Sequence, residues 1–337
     1  MRYAAGAAAS MAWGRAGWLA QVAVLSLLVQ PATLNADPWA EAMPLARASL
    51  LLDVAREGSR IIVVGERGQI LLSSDRAASW QQAEVPTRTT LTAVRMVGGS
   101  RAWAVGHDGL ILHSDDGGLT WSAQRTSAEP DRPLLDLWFA DASHGVAVGA
   151  YMLLLSTEDG GRTWRARIDD PDGPHANAIA EAPDGSLYVV GEFGQILRSD
   201  DRGRSWHRLK SPYEGSLFEV LTPDDGAILV FGLRGHLFRS EDRGASWRQI
   251  ATGTSATLLG GLVRADGRIV VAGSDGALLV SADGGHTFRL QHRPDRQAIV
   301  ALIELDPNEV LAVGEGGLTR IPDSSLKEAS GLTIGAR

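Results

Sequence analysis

The chain contains no cysteine in its 337 residues, so its fold is held without disulfides even where an oxidising compartment would permit them. Aromatic residues are few, at 6%. Hydrophobic residues reach 44%, too many for a disordered chain and enough for a packed core. No HExxH or comparable spacing of metal ligands occurs, and the eight histidines (His107, His113, His144, His175, His207, His236, His286, His292) are scattered one or two to a repeat as turn or surface residues. SDDGG and its relatives lack the alternating D-x-D-x-D-G ligand series of a calcium loop, and the apolar-Gly-x-x-Gly stretches join two strands without opening a helix, unlike a nucleotide loop. Neither a metal nor a cofactor is therefore expected.

Long apolar runs are also missing, apart from one. Trp18 to Val29 forms a 12-residue apolar stretch behind Arg2 and Arg15, followed by small residues before Asp37. It is too short to span a bilayer, which takes about 20 residues, and it reads as an export signal over residues 1–36. Cleavage is expected after Ala36, with Ala32 as the alternative. The expected location is the periplasm or another extracytoplasmic compartment, without membrane insertion once the signal is removed. Removing the signal leaves 30 basic against 40 acidic residues, a balance that disfavours nucleic acid and anionic lipid as partners.

What is present is a repeat. Six octets recur: SSDRAASW (Ser73 to Trp80), SDDGGLTW (Ser114 to Trp121), TEDGGRTW (Thr157 to Trp164), SDDRGRSW (Ser199 to Trp206), SEDRGASW (Ser240 to Trp247) and SADGGHTF (Ser281 to Phe288). Their closing aromatics are 41, 43, 42, 41 and 41 residues apart. A second marker, an apolar run ending in glycine, falls at Gly65, Gly106, Gly149, Gly191, Gly232, Gly273 and Gly314, which makes seven units. Within a unit the alternation is that of four short strands, as in Leu91 to Val97, Ala102 to Gly106, Leu110 to Ser114 and Trp121 to Arg125. Four antiparallel strands at this period make a propeller blade, so the expected fold is an all-β, seven-bladed propeller over residues 37–325 with a tail at 326–337.

The octet, an Asp box, has a mechanical explanation. Asp75, Asp116, Asp159, Asp201, Asp242 and Asp283 can each accept hydrogen bonds from their own turn, a glycine such as Gly118 supplies φ > 0, and the aromatics Trp80, Trp121, Trp164, Trp206, Trp247 and Phe288 can pack against a neighbouring sheet. Unit one carries Ala77 at that glycine position. Unit seven lacks an Asp box and a fourth strand, and Asp37 to Ser49 is the expected donor, pairing beside Leu311 to Ile321 to close the ring.

Function is expected on the face opposite the Asp boxes, where turns between second and third strands have one length and varied composition. They carry Glu66, Arg67, His107, Asp108, Tyr151, Glu192, Phe193, Arg234, Asp275 and Glu315. Arg67, Arg234, Tyr151 and Phe193 are the expected anchors, with the acids setting partner choice. In unit three the turn reads GAYM, placing Tyr151 and Met152 where Gly-x-x-Gly is usual.

The unit LLDLWFADASHGVAVGAYMLLLSTEDGGRTW (Leu134 to Trp164) resembles the repeat of the photosystem II stability and assembly factor family, and the likeness extends over roughly Leu50 to Ile321. The resemblance implies an exported seven-bladed propeller and, in photosynthetic members, a reaction-centre subunit bound through an arginine-rich surface. The expected function is a monomeric, non-enzymatic, extracytoplasmic scaffold for a protein client, an exposed part of an inner-membrane complex. The alternative is a glycoside hydrolase. Against a sialidase, the mature chain has only Tyr151, Tyr188 and Tyr213 as nucleophiles, and its Arg-Ile-Pro stretch, Thr319 to Pro322, lies at the wrong end. Xyloglucanase-like enzymes resemble the repeat better but use two propellers facing a cleft.

Overall fold

A computed structural model describes residues 39–125 and 132–327; the expected signal lies outside them. Seven antiparallel sheets stand around one axis, six of four strands and the last of three among the described residues. The innermost strands are Leu51–Glu57, Leu91–Val97, Leu134–Phe139, Ala176–Glu181, Leu217–Leu221, Leu258–Val263 and Ile299–Asp306. Each lies beside the next, and the seventh lies beside the first.

Second strands read as unbroken apolar runs because each blade is covered by a neighbour on both faces. Ile61 to Val64 and Leu187 to Val190 are fully buried. The glycine that ends each run has a shared cause. A Cβ on Gly65 would stand 2.4 Å from the carbonyl oxygen of Leu50, and one on Gly191 would stand 2.1 Å from that of His175. The same carbonyls accept the N–H groups of Glu66 and Glu192 at 3.2 and 3.0 Å. Thus the chain entering each blade crosses its second strand too closely for any side chain.

The Asp boxes fold as the chemistry requires. In unit two, Asp116 accepts the N–H groups of Leu119 and Thr120 and the Thr120 hydroxyl, while Ser114 Oγ accepts the N–H of Gly118 at 2.8 Å. Gly118 has φ 94°, and Ala77 keeps the left-handed turn at φ 66°. Each closing aromatic packs on the preceding blade: Trp121 joins Ile62 and Val64, and Trp206 joins Val146 and Val148.

Ring closure differs from the expectation. Asp37 and Pro38 are not described, and the described part of the proposed closing strand, from Trp39 to Ser49, does not form a ladder with Gly317–Pro322. Ala40 N donates to Val85 O at 2.9 Å and Met43 N to Gln82 Oε1 at 2.9 Å, both on blade one. The chain then turns through a short 3-10 helix, Ala46–Ala48. Its amides are consumed locally, Ala46 N by Met43 O and Ala48 N by Leu45 O, and Pro44 has no N–H, so the segment cannot pair as a strand. Instead Ala46 plugs an apolar seam in which Leu305, Leu311 and Val313 of blade seven meet Val54, Ile61 and Val63 of blade one.

Regular structure also spans the expected boundary at residue 325. A helix, Asp323–Lys327, buries Leu326 and is anchored by Asp323, which pairs with the fully buried Arg264 and with Arg268 at 2.7 Å.

Candidate functional site: the turn face and the mouth of the channel

Each third strand starts at a turn from the second strand and ends at an Asp box, so the two loop sets occupy opposite faces. On the turn face the second turn residue sits in the left-handed region in six blades: Arg67, Asp108, Tyr151, Phe193, Arg234 and Asp275, with φ between 51° and 57°. All six are exposed. The seventh turn is tighter, pairing Gly314 with Gly317 around Glu315.

These residues divide into two groups. Glu192 Oε2 accepts His175 N–H at 3.0 Å, and Glu315 Oε2 accepts Ala298 N–H at 3.0 Å, so both carboxylates tie down the chain entering their own blade. Asp108 accepts the Thr89 hydroxyl at 3.2 Å, and Asp275 accepts from Arg296 at 3.0 Å. Among the described residues, Arg67, Arg234, Glu66, His107 and the 79% exposed Phe193 have no side-chain partner. Tyr151 leans edge-on against His175 of the next blade at 5.1 Å, and the blade after that carries stacked Tyr213 and His236 at 4.4 Å. The neighbouring blades three to five therefore form an aromatic sector around Phe193. Arg67 and Arg234 stand on blades one and five and do not form a cluster.

The sequence reading missed a second feature, the axis. Every inner strand has a bulge near its first residue, which turns two consecutive side chains toward the channel. The first of each pair forms the mouth on the turn face: Leu52, Thr92, Leu135, Asn177, Phe218, Leu259 and Val300. One step deeper lie Asp53, Asp136 and Glu219, on blades one, three and five, while the other blades place Ala93, Ala178, Gly260 and Ala301 there. All of these but Gly260 line a cavity of about 260 Å³.

Side chains also stitch the inner strands together. Asp53 accepts Val94 N–H at 2.8 Å, Thr92 donates to Leu134 O at 2.7 Å, Asp136 accepts Ile179 N–H at 2.9 Å, and Asn177 donates to Leu217 O at 2.8 Å. Arg95 on blade two spans its neighbours, reaching Asp53 at 3.1 Å and Asp136 at 3.1 Å. Enclosure by protein pushes the Asp53 carboxyl up to about 6 against the pull of Arg95, and raises Asp136 as well. Glu219 is pushed up to about 8 by burial and by the charge of Asp136. Among the described residues its carboxylate accepts one hydrogen bond, from Val220 N–H at 2.8 Å. Three carboxylates thus face one guanidinium, which bonds two of them, Asp53 and Asp136. Among the described residues, no cluster of His, Cys, Asp and Glu is arranged to hold a metal ion.

A closed ring of Asp-box blades with a decorated turn face defines the class, an Asp-box β-propeller. More narrowly, the model of the Photosynthesis system II assembly factor YCF48 family matches residues 32–133 and 124–261, and the chain belongs to that family. A solved structure of YCF48 bound to D1 peptide superposes with a TM-score of 0.69 at 20% identity, over 85% of this chain and 96% of that one. YCF48 from Cyanidioschyzon merolae gives 0.68 at 16% identity, over 85% and 99%. A streptogramin B lyase shares the fold alone, with a TM-score of 0.69 at 13% identity over 81% and 93%. A search of curated protein sequences finds no match.

Proposed function

We infer that this chain is a non-enzymatic scaffold that binds a protein client on its turn face. Membership of the YCF48 family carries the reading, since a relative of the same architecture has been solved with a peptide bound. The aromatic sector around Phe193 supports the choice of face, because exposed aromatic side chains on a rigid frame are favoured interface anchors. The client is an extracytoplasmic part of an inner-membrane complex, and the scaffold works as a single ring in the periplasm after cleavage near Ala36. N-terminal sequencing of protein from the extracytoplasmic fraction tests export; an intact Met1 in cytoplasmic protein contradicts it.

A glycosidase would need a reactive carboxylate pair, an arginine cluster and aromatic sugar platforms on the axis. The axis holds carboxylates, but among the described residues lining the cavity Arg95 is the one arginine, already paired twice, and Phe218 the one aromatic. Placing a photo-crosslinking residue at Phe193 and, separately, at the exposed Leu119 of an Asp box tests the scaffold reading in native membranes. Adducts with a membrane protein are expected from position 193 only. Adducts from position 119 alone, or turnover of an aryl glycoside abolished by one acidic substitution, would overturn it.

A further inference from the structure

The channel shows an incomplete pattern. Acids occupy one register on alternate blades, Asp53, Asp136 and Glu219. Between the first two, blade two supplies Arg95, whose guanidinium bonds both. Between Asp136 and Glu219 the corresponding position on blade four is Ala180, and no cation reaches Glu219 within bonding distance among the described residues. Asp136 already accepts from Arg95, Leu137 N–H and Ile179 N–H. Glu219 uses one oxygen on Val220 N–H, and its other oxygen has no partner there. Ala178 on blade four leaves space beside it, within the cavity of about 260 Å³.

Above this gap the mouth is mainly apolar, with Leu52, Leu135, Phe218, Leu259 and Val300. An apolar collar over an anionic floor matches a cation carried on an unbranched aliphatic stem, since such side chains lay methylenes along apolar surface and keep the charge with polar partners. We propose that the channel mouth is a receptor for a single lysine or arginine side chain, which passes the apolar collar and pairs with Glu219 in the gap between blades three and five. The carrier of that side chain is the client on the turn face, and this part rests on the function proposed above. The pairing itself does not.

Pairing requires Glu219 to give up its proton. Glu219, Asp53, Asp136 and Arg95 are the charged groups that face the gap, and below about pH 8 the Glu219 carboxyl holds its proton. Affinity for the cation therefore rises with pH, by up to about tenfold per unit below that value.

Three blocked tripeptides on the full chain test the pocket without any client: acetyl-Gly-Lys-Gly-amide, its norleucine counterpart and its Nε-acetyl-lysine counterpart. Calorimetry at pH 6, 7 and 8, in buffers of differing ionisation enthalpy, reads both affinity and proton release. The lysine peptide should bind saturably, tighten with pH and release a proton at pH 7, while the other two should not bind measurably. Glu219→Gln copies the shape of the protonated acid, so its melting temperature at pH 6 should be retained, and it should weaken lysine-peptide binding by about tenfold or more. Equal binding of the norleucine peptide, unchanged binding by Glu219→Gln, or no saturable binding of the lysine peptide would each overturn the proposal. If the lysine peptide binds as described while no client is found, the channel assignment stands and the scaffold reading fails.

Discussion

Gly173 faces Met152 across the junction of blades three and four, so closely that a Cβ on Gly173 would stand 2.9 Å from the Cβ of Met152. Elsewhere the glycine is in the turn: a Cβ on Gly68 would meet Thr87 O at 2.1 Å, and one on Gly194 would meet Tyr213 O at 1.8 Å. Blade three reverses the contact, burying Met152 in a left-handed conformation at φ 48° and placing the glycine in the connection opposite. Gly173→Ala should therefore destabilise the chain by about 1–3 kcal/mol through overpacking. Met152→Gly alone loses a buried side chain, and on that background Gly173→Ala should cost less, with a coupling of about 0.5–3 kcal/mol in a double-mutant cycle. Denaturant melts of the four proteins measure it, and strict additivity would contradict the contact.

Ala77 is the one Asp-box residue that holds a left-handed turn without being glycine where the other boxes have it, at φ 66°. Ala77→Gly should stabilise the chain by about 1 kcal/mol, the lower end of the left-handed penalty. The reverse change at Gly118 should be costly, since its Cβ would stand 2.7 Å from Ile62 Cδ1. Thermal melts of both variants decide it; destabilisation by Ala77→Gly would show that the buried methyl matters more than the backbone.

Stability should fall at both ends of the pH range for different reasons. Hydroxyl and backbone donors of Ser79, then the Ser73 hydroxyl, hold Asp75 down at about 2, and Ser246 with Ser240 does the same for Asp242. These groups bind protons less readily folded than unfolded, so their contribution is complete above about pH 4 and is lost as pH falls toward 2. Glu219 is shifted the other way, from 4.5 to about 8. Its contribution is complete below about pH 4.5 and declines as pH rises through 8. Melting temperatures from pH 2 to 9 should show both limbs, and Glu219→Gln should make the upper one shallower, leaving the share of Asp53 and Asp136, while the acid limb stays unchanged.

Arg264 and Asp323 form a buried pair with 0% and 4% side-chain exposure, fastening the C-terminal helix to blades six and seven. Asp323→Ala leaves Arg264 paired with Glu304 at 2.8 Å but removes its bond to the helix, and should cost about 1–3 kcal/mol. Amide exchange should show the loss concentrated in blades six and seven. A uniform change around the ring would contradict the latch.

The repeat was legible because one backbone problem recurs seven times: the glycines at Gly65 and its equivalents are required by the same close crossing. The missing fourth strand of blade seven was legible from its missing Asp box. Its replacement was not, because counting strands predicts a ladder where Pro44 and the local bonds of Ala46 and Ala48 make a turn. The turn residues were placed on the expected face, yet Glu192 and Glu315 look like free surface charges until their bonds to His175 and Ala298 are seen. The channel did leave a trace, since Asp53, Asp136 and Glu219 share one register two repeats apart. A lone acid in a short strand reads as solvent-facing, however, and only closure of the ring brings the three around one axis.

On the proposed function, the turn face binds and the Asp boxes hold the fold. Affinity for the crosslinked client, measured beside thermal melts, tests it on Phe193→Ala and Arg234→Ala against Asp116→Ala and Trp121→Ala. The first pair should lose about 2 kcal/mol or more of binding with melting nearly unchanged. Trp121→Ala should lower stability by about 3–5 kcal/mol and weaken binding only as unfolding sets in. Asp-box variants that lose the client while remaining fully folded would place the function on the opposite face.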